Sequence, residues 1–155
     1  MDETSYNIAR NQINQLPCIF ERALLAKAAV CEAAQRISLA EREVVACREP
    51  VVRASCGQLL TLLRANSSFA LKVKDAQRIL PHAMAMKVQC GGLVGLRDLL
   101  DPDAAAPDIM KLVRLAQAEY ASFEALPFSR IVQGVVHWQG RKRRPPTPPG
   151  EPQPS

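Results

Sequence analysis

The sequence predicts an all-α fold: a single-domain helical bundle built on a long N-terminal helix, followed by a disordered basic and proline-rich tail. Three observations lead there. Aliphatic residues and alanine dominate the apolar fraction, while aromatics make up only 5% of the chain, a balance that favours helices. Apolar positions between residues 19 and 47 recur at alternating steps of four and three, which is helical spacing. The seven glycines cluster instead of recurring at the intervals that strand turns require. A chain of 155 residues, shortened by its tail, has room for one ordinary core without disulfide staples.

The first element is weak. Residues 1–16 place Ile8, Ile13 and Leu16 among Asn and Gln, a short helical segment with little apolar surface. From there Ile19, Ala23, Ala26, Val30, Ala33, Ile37, Ala40 and Val44 form a heptad seam, the pattern of one continuous packing helix. That helix would cover residues 18–48 and span about 45 Å at about 1.5 Å per residue. Pro17 suits its first turn and Pro50 its stop. Ser38, Leu39, Ala40 and Glu41 match a capping box that would split it, but the unbroken seam favours continuity. A second apolar line through Phe20, Leu24, Cys31 and Ala34 widens the stripe to that of a bundle helix.

Residues 51–65 read as the next helix, with Cys56, Leu59, Leu60 and Leu63 on a broad apolar face and Asn66 at its stop. A further helix should carry Phe69, Val73, Ala76, Leu80 and Ala83 on one face and Lys74, Arg78 and His82 on another, with Pro81 kinking it or starting a fresh one. Gly91, Gly92 and Gly95 follow no strand, so they read as a helix-ending turn and not as a phosphate-cradling loop. Asp101, Pro102 and Asp103 begin an acidic loop, and Pro107 with Asp108 suits the start of a helix running to about residue 124. The last helix should begin near Ser129, with Ile131, Val132, Val135 and Trp138 inward and Arg130 and His137 outward. Residues 17–140 are thus expected to form the α-helical domain. Trp138 is expected to dock its helix onto the body.

Beyond Trp138 the composition changes abruptly. Arg141, Lys142, Arg143 and Arg144 are followed by a stretch in which six of the last eleven residues are proline. Such a segment cannot build a core and is expected to be disordered. Pro145, Pro146, Pro148 and Pro149, read with the preceding cations, fit a basic polyproline II ligand motif. Charge is uneven along the chain as well. Residues 50–97 hold seven basic residues and one acidic, whereas residues 98–140 hold three basic and six acidic, so internal neutralisation competes with an external field.

Five cysteines occur at positions 18, 31, 47, 56 and 90, with no Cys-x-x-Cys pair. On one long helix Cys31 and Cys47 would lie about 24 Å apart, beyond disulfide reach. They read as small buried hydrophobes in a reducing compartment. Metal binding lacks any local spacing in support, so neither a metal nor a cofactor is expected. No stretch reaches the roughly 20 apolar residues of a membrane span, and the N-terminus lacks a secretory signal. The expectation is an intracellular, cytoplasmic protein, nuclear if the host is a eukaryote, because residues 141–144 could serve nuclear entry.

No catalytic elbow, phosphate loop or carboxylate cluster is present, so neither enzyme activity nor a small-molecule substrate is expected. What remains is a non-enzymatic protein–protein interaction module, self-associating through its alanine seam, whose tail recruits a partner. The alternative is a nucleic-acid-associated protein in which Lys72, Lys74, Arg78, Arg130 and the 141–144 cluster neutralise phosphates.

Overall fold

The computed structural model describes residues 2–72 and 79–140. Helix α1 (Glu3–Ile13) starts where the Asp2 carboxylate accepts the Ser5 N–H at 2.7 Å, an N-cap that satisfies one orphan donor. It ends at Asn14, whose side-chain amide donates to the Val45 carbonyl at 3.0 Å and so anchors the end of α1 on a segment 31 residues further along the chain. Only a short helix, α2 (Glu21–Leu25), forms next.

Beyond α2 the expected long helix is absent. Residues 34–47 instead form an antiparallel hairpin of β1 (Ala34–Leu39) and β2 (Arg42–Cys47), paired from Ala34↔Cys47 to Leu39↔Arg42. The chain is therefore mixed α/β, mostly helical, and not all-α. Ala40 and Glu41, the supposed middle of the helix, form the two-residue turn, with φ of 50° and 66°. Positive φ at both positions is the geometry that matches strand twist in a tight hairpin. The residues flanking the turn explain the outcome. Ile37, Val44 and Val45 are β-branched, favour strands and lose rotamer freedom in a helix. Val44 and Val45 are both buried, so β2 is covered on both faces and its sequence lacks the alternation that marks a half-buried strand. Residues 16–18 flank the other edge of β2: Pro17 bridges to Ala46, the Cys18 N–H donates to the Val45 carbonyl at 2.9 Å, and the Cys47 N–H to the Leu16 carbonyl at 2.8 Å.

Helix α3 (Pro50–Ser67) opens with proline in its first turn and buries Cys56, Leu59, Leu63 and Ser67 along one stripe. It gives way to a turn in which Lys72 has φ 57°, and Phe69 is 94% exposed. The expected helix beyond falls partly on residues 73–78, including Lys74 and Arg78, which lie outside the described residues. A fresh helix does begin after Pro81. Helix α4 (His82–Met86) passes through one π turn, Lys87–Gly91, into α5 (Gly92–Leu100). The Asp108 side chain caps α6 (Ile109–Glu119), and Val30 bridges to Asp108 through backbone hydrogen bonds of 2.9 Å to Pro107 and Ile109. A 3₁₀ turn, Phe123–Ala125, leads to α7 (Phe128–His137).

The glycines do not end a helix. Gly91 and Gly95 lie inside one, where α7 crosses at backbone contact. A Cβ on Gly95 would sit 2.3 Å from the Ile131 carbonyl oxygen, and one on Gly134 would sit 2.4 Å from the Gly91 carbonyl oxygen. Three glycines in register thus set how closely the two helices pack, and around them Leu59, Leu63, Leu93, Leu96, Leu112 and Ile131 fill the core.

Candidate functional site

Close packing of α5 on α7 leaves an open cleft of about 450 Å³ along one side of the crossing. Gly95 and Gly134 form its floor. Asp98 and Leu99 line it from α5, and Arg130, Gln133 and His137 line it from α7, where steps of three and four place them on one face. Trp138 stands at the C-cap of α7 with φ −64° and ψ 130°, where the backbone leaves the helix. Its side chain lies over Gly91 and packs partly against the core.

The polar groups of this cleft have distinct states. His137 Nδ1 lies 2.8 Å from the Gln133 carbonyl oxygen; because a carbonyl only accepts, Nδ1 carries a proton and donates, which leaves Nε2 for another partner. Asp98 is engaged by the neighbouring Arg97 at 3.1 Å. Arg130 is exposed, and among the described residues it pairs with no carboxylate. The cleft therefore offers a guanidinium, an imidazole and an indole beside an apolar floor. That set suits an extended ligand with an anionic group and an apolar side chain.

Of the basic residues expected to act together, only Arg130 lies here. Lys72 sits in the turn after α3, and Lys74, Arg78, residues 141–144 and the prolines at 145, 146, 148 and 149 lie outside the described residues. Several other cations of the folded part are neutralised locally. Arg10 pairs with Glu21, Arg36 with Glu43, Arg42 with Glu3, and Lys111 with Asp101.

The packing seam is dispersed. Ala23, Ala33 and Val44 are buried, Ile19 and Ile37 half-buried, and Ala26, Val30 and Ala40 exposed, spread over the segment before α2, α2 itself, the following loop, both strands and the turn. These eight residues therefore do not form one helical seam. Sequence reasoning passed over Gly134, which faces Gly91 and Gly95, and Gln89, whose buried side chain accepts the Ala23 N–H at 3.3 Å. The four-residue spacing of Gly91 and Gly95 was the available signal, since glycines inside a helical pattern mark close approach.

No protein-family model matches this chain, and neither a curated protein nor a solved structure matches it. Among the described residues, no helix is long and apolar enough to cross a membrane.

Proposed function

We propose that the chain is a non-enzymatic interaction module that holds an acidic, partly apolar segment of a protein partner in the α5–α7 cleft. The observation that carries this reading is Arg130, exposed and without a carboxylate partner among the described residues, on the same helical face as His137 and lining the same cleft as Trp138. Three residues beyond Trp138 the sequence enters four consecutive cations, Arg141, Lys142, Arg143 and Arg144, which would extend the contact along an acidic segment. Neutralisation of Arg10, Arg36, Arg42 and Lys111 by neighbouring carboxylates weighs against a broad phosphate-binding face and keeps nucleic acid as the lesser reading.

Trp138 is the sole tryptophan, so its emission reports binding directly. Titration with a peptide of alternating Glu and Leu should shift that emission, and Arg130→Ala should weaken binding about tenfold, the loss of one charge-assisted hydrogen bond of about 1.5 kcal/mol. Truncation after residue 140 should weaken it further. Unchanged emission at saturating peptide would sink the proposal. Tighter binding of a single-stranded oligonucleotide, falling steeply with salt, would replace the acidic protein with nucleic acid.

A further inference from the structure

A second cleft, of about 570 Å³, opens between α1, α2 and α4 and shares no residue with the α5–α7 cleft. Arg10 reaches it from α1, Glu21 and Arg22 from α2, His82 from α4, and Gln89 from the π turn. Glu21 is fully engaged: one carboxylate oxygen pairs with Arg10 at 2.5 Å and the other accepts the Val45 N–H at 2.8 Å. Arg22 instead donates to His82 Nδ1 at 2.5 Å. A guanidinium only donates, so Nδ1 is the unprotonated ring nitrogen and Nε2 carries the proton. Gln89 is 8% exposed, and its Oε1 accepts the Ala23 N–H at 3.3 Å, which leaves the amide nitrogen as its donor end. Among the described residues Arg22 pairs with no carboxylate. Arg10 and Glu21 cancel, so the cleft keeps one uncompensated cation with an imidazole and an amide donor beside it.

Arg22 and Gln89 also wall a neighbouring hollow of about 200 Å³. Apart from Arg64, the rest of its lining is apolar and includes Leu60 from α3, Ile79 and Leu80 ahead of α4, and Val88 from the π turn. Ile79 is 92% exposed, so the fold leaves hydrocarbon in water beside the hollow. The π turn supplies both Val88 and Gln89, and such one-residue insertions into a helix concentrate at functional sites.

Charge and volume select the ligand. A phosphate monoester, with about two negative charges at neutral pH, exceeds the single uncompensated cation, and Glu21 stands in the same cleft to repel it. A carboxylate matches that charge and the paired donors of a guanidinium. A methylene is close in size to a water, whose share of liquid volume is about 30 Å³, so the hollow takes a chain of about six or seven carbons. We propose that the cleft and the hollow together bind a medium-chain aliphatic carboxylate, its head on Arg22, His82 Nε2 and Gln89 and its chain against Leu60, Leu80 and Val88. The site is independent of the α5–α7 cleft and of any partner held there.

Isothermal titration calorimetry of the full chain with butanoate, hexanoate and octanoate tests the site. Affinity should rise about fourfold for each added methylene, and octanol, which lacks the charge, should bind about tenfold more weakly than octanoate. Arg22→Gln should weaken octanoate binding about tenfold, through loss of a charge-assisted contact, while Arg130→Ala in the other cleft should leave it unchanged. Should Arg22→Gln fail to fold by circular dichroism, methyl nuclear magnetic resonance of the unaltered chain decides. Octanoate should shift the signals of Leu60, Leu80 and Val88 and leave those of Val94 and Leu99, which line the α5–α7 cleft. Absence of binding at millimolar octanoate, affinity independent of chain length, equal affinity for octanol, tighter binding of octyl phosphate, undiminished binding by folded Arg22→Gln, or shifts confined to the α5–α7 cleft overturns the proposal.

Discussion

Replacing Gly95 with alanine tests the helix crossing on which both the core and the cleft rest. The added methyl would lie 2.3 Å from the Ile131 carbonyl oxygen and 3.0 Å from that residue's Cα. The ordinary separation of such atoms is about 3.5 Å, so α5 and α7 must part by roughly 1 Å, a gap that forfeits about a quarter to a half of each dispersion contact across it. Leu93, Leu96, Ile131 and Val135 are buried at this crossing. With burial worth roughly 2 kcal/mol for each, the loss comes to roughly 2–4 kcal/mol. Alanine returns about 0.5–1 kcal/mol through its better helix propensity. The net destabilisation is roughly 2–3 kcal/mol, in the range of about 1–3 kcal/mol seen for overpacked cores. For a chain of this size that lowers Tm by about 4–12 °C. Thermal and urea unfolding followed by far-UV circular dichroism would measure it, with Gly57→Ala as the control. A Cβ at Gly57 meets only Ile19 Cδ1, at 3.8 Å, so the control should be neutral or gain stability. If Gly95→Ala unfolded no earlier than Gly57→Ala, the close crossing would be refuted.

Glu21 is only 16% exposed at its side chain, accepts the Val45 N–H at 2.8 Å and pairs with Arg10. Glu21→Gln should cost about 1.5–3 kcal/mol in urea unfolding, the worth of hydrogen bonds to a charged group; no change in midpoint would show that the carboxylate does not anchor the hairpin. The double change Ala40→Asn and Glu41→Gly relieves positive φ at both turn positions and should stabilise the chain by about 1 kcal/mol. A continuous helix through residue 41 would instead lose about 1 kcal/mol to the glycine alone, so the sign of the shift in Tm separates the two structures.

Helices whose register comes from large apolar side chains were legible in the sequence. Cys56, Leu59 and Leu63 fix the buried stripe of α3, and Ile131, Val132 and Val135 that of α7, because such residues cannot be left in water at that density. The hairpin was not legible, for two physical reasons. Small residues dominated the seam that suggested a helix, and alanine at a helical spacing carries little burial energy with which to enforce that helix. The turn also lacked its usual signal: Ala40 and Glu41 occupy positions where Asn and Gly are favoured, so tertiary contacts, including the Glu21 hydrogen bond to Val45, must hold it in place.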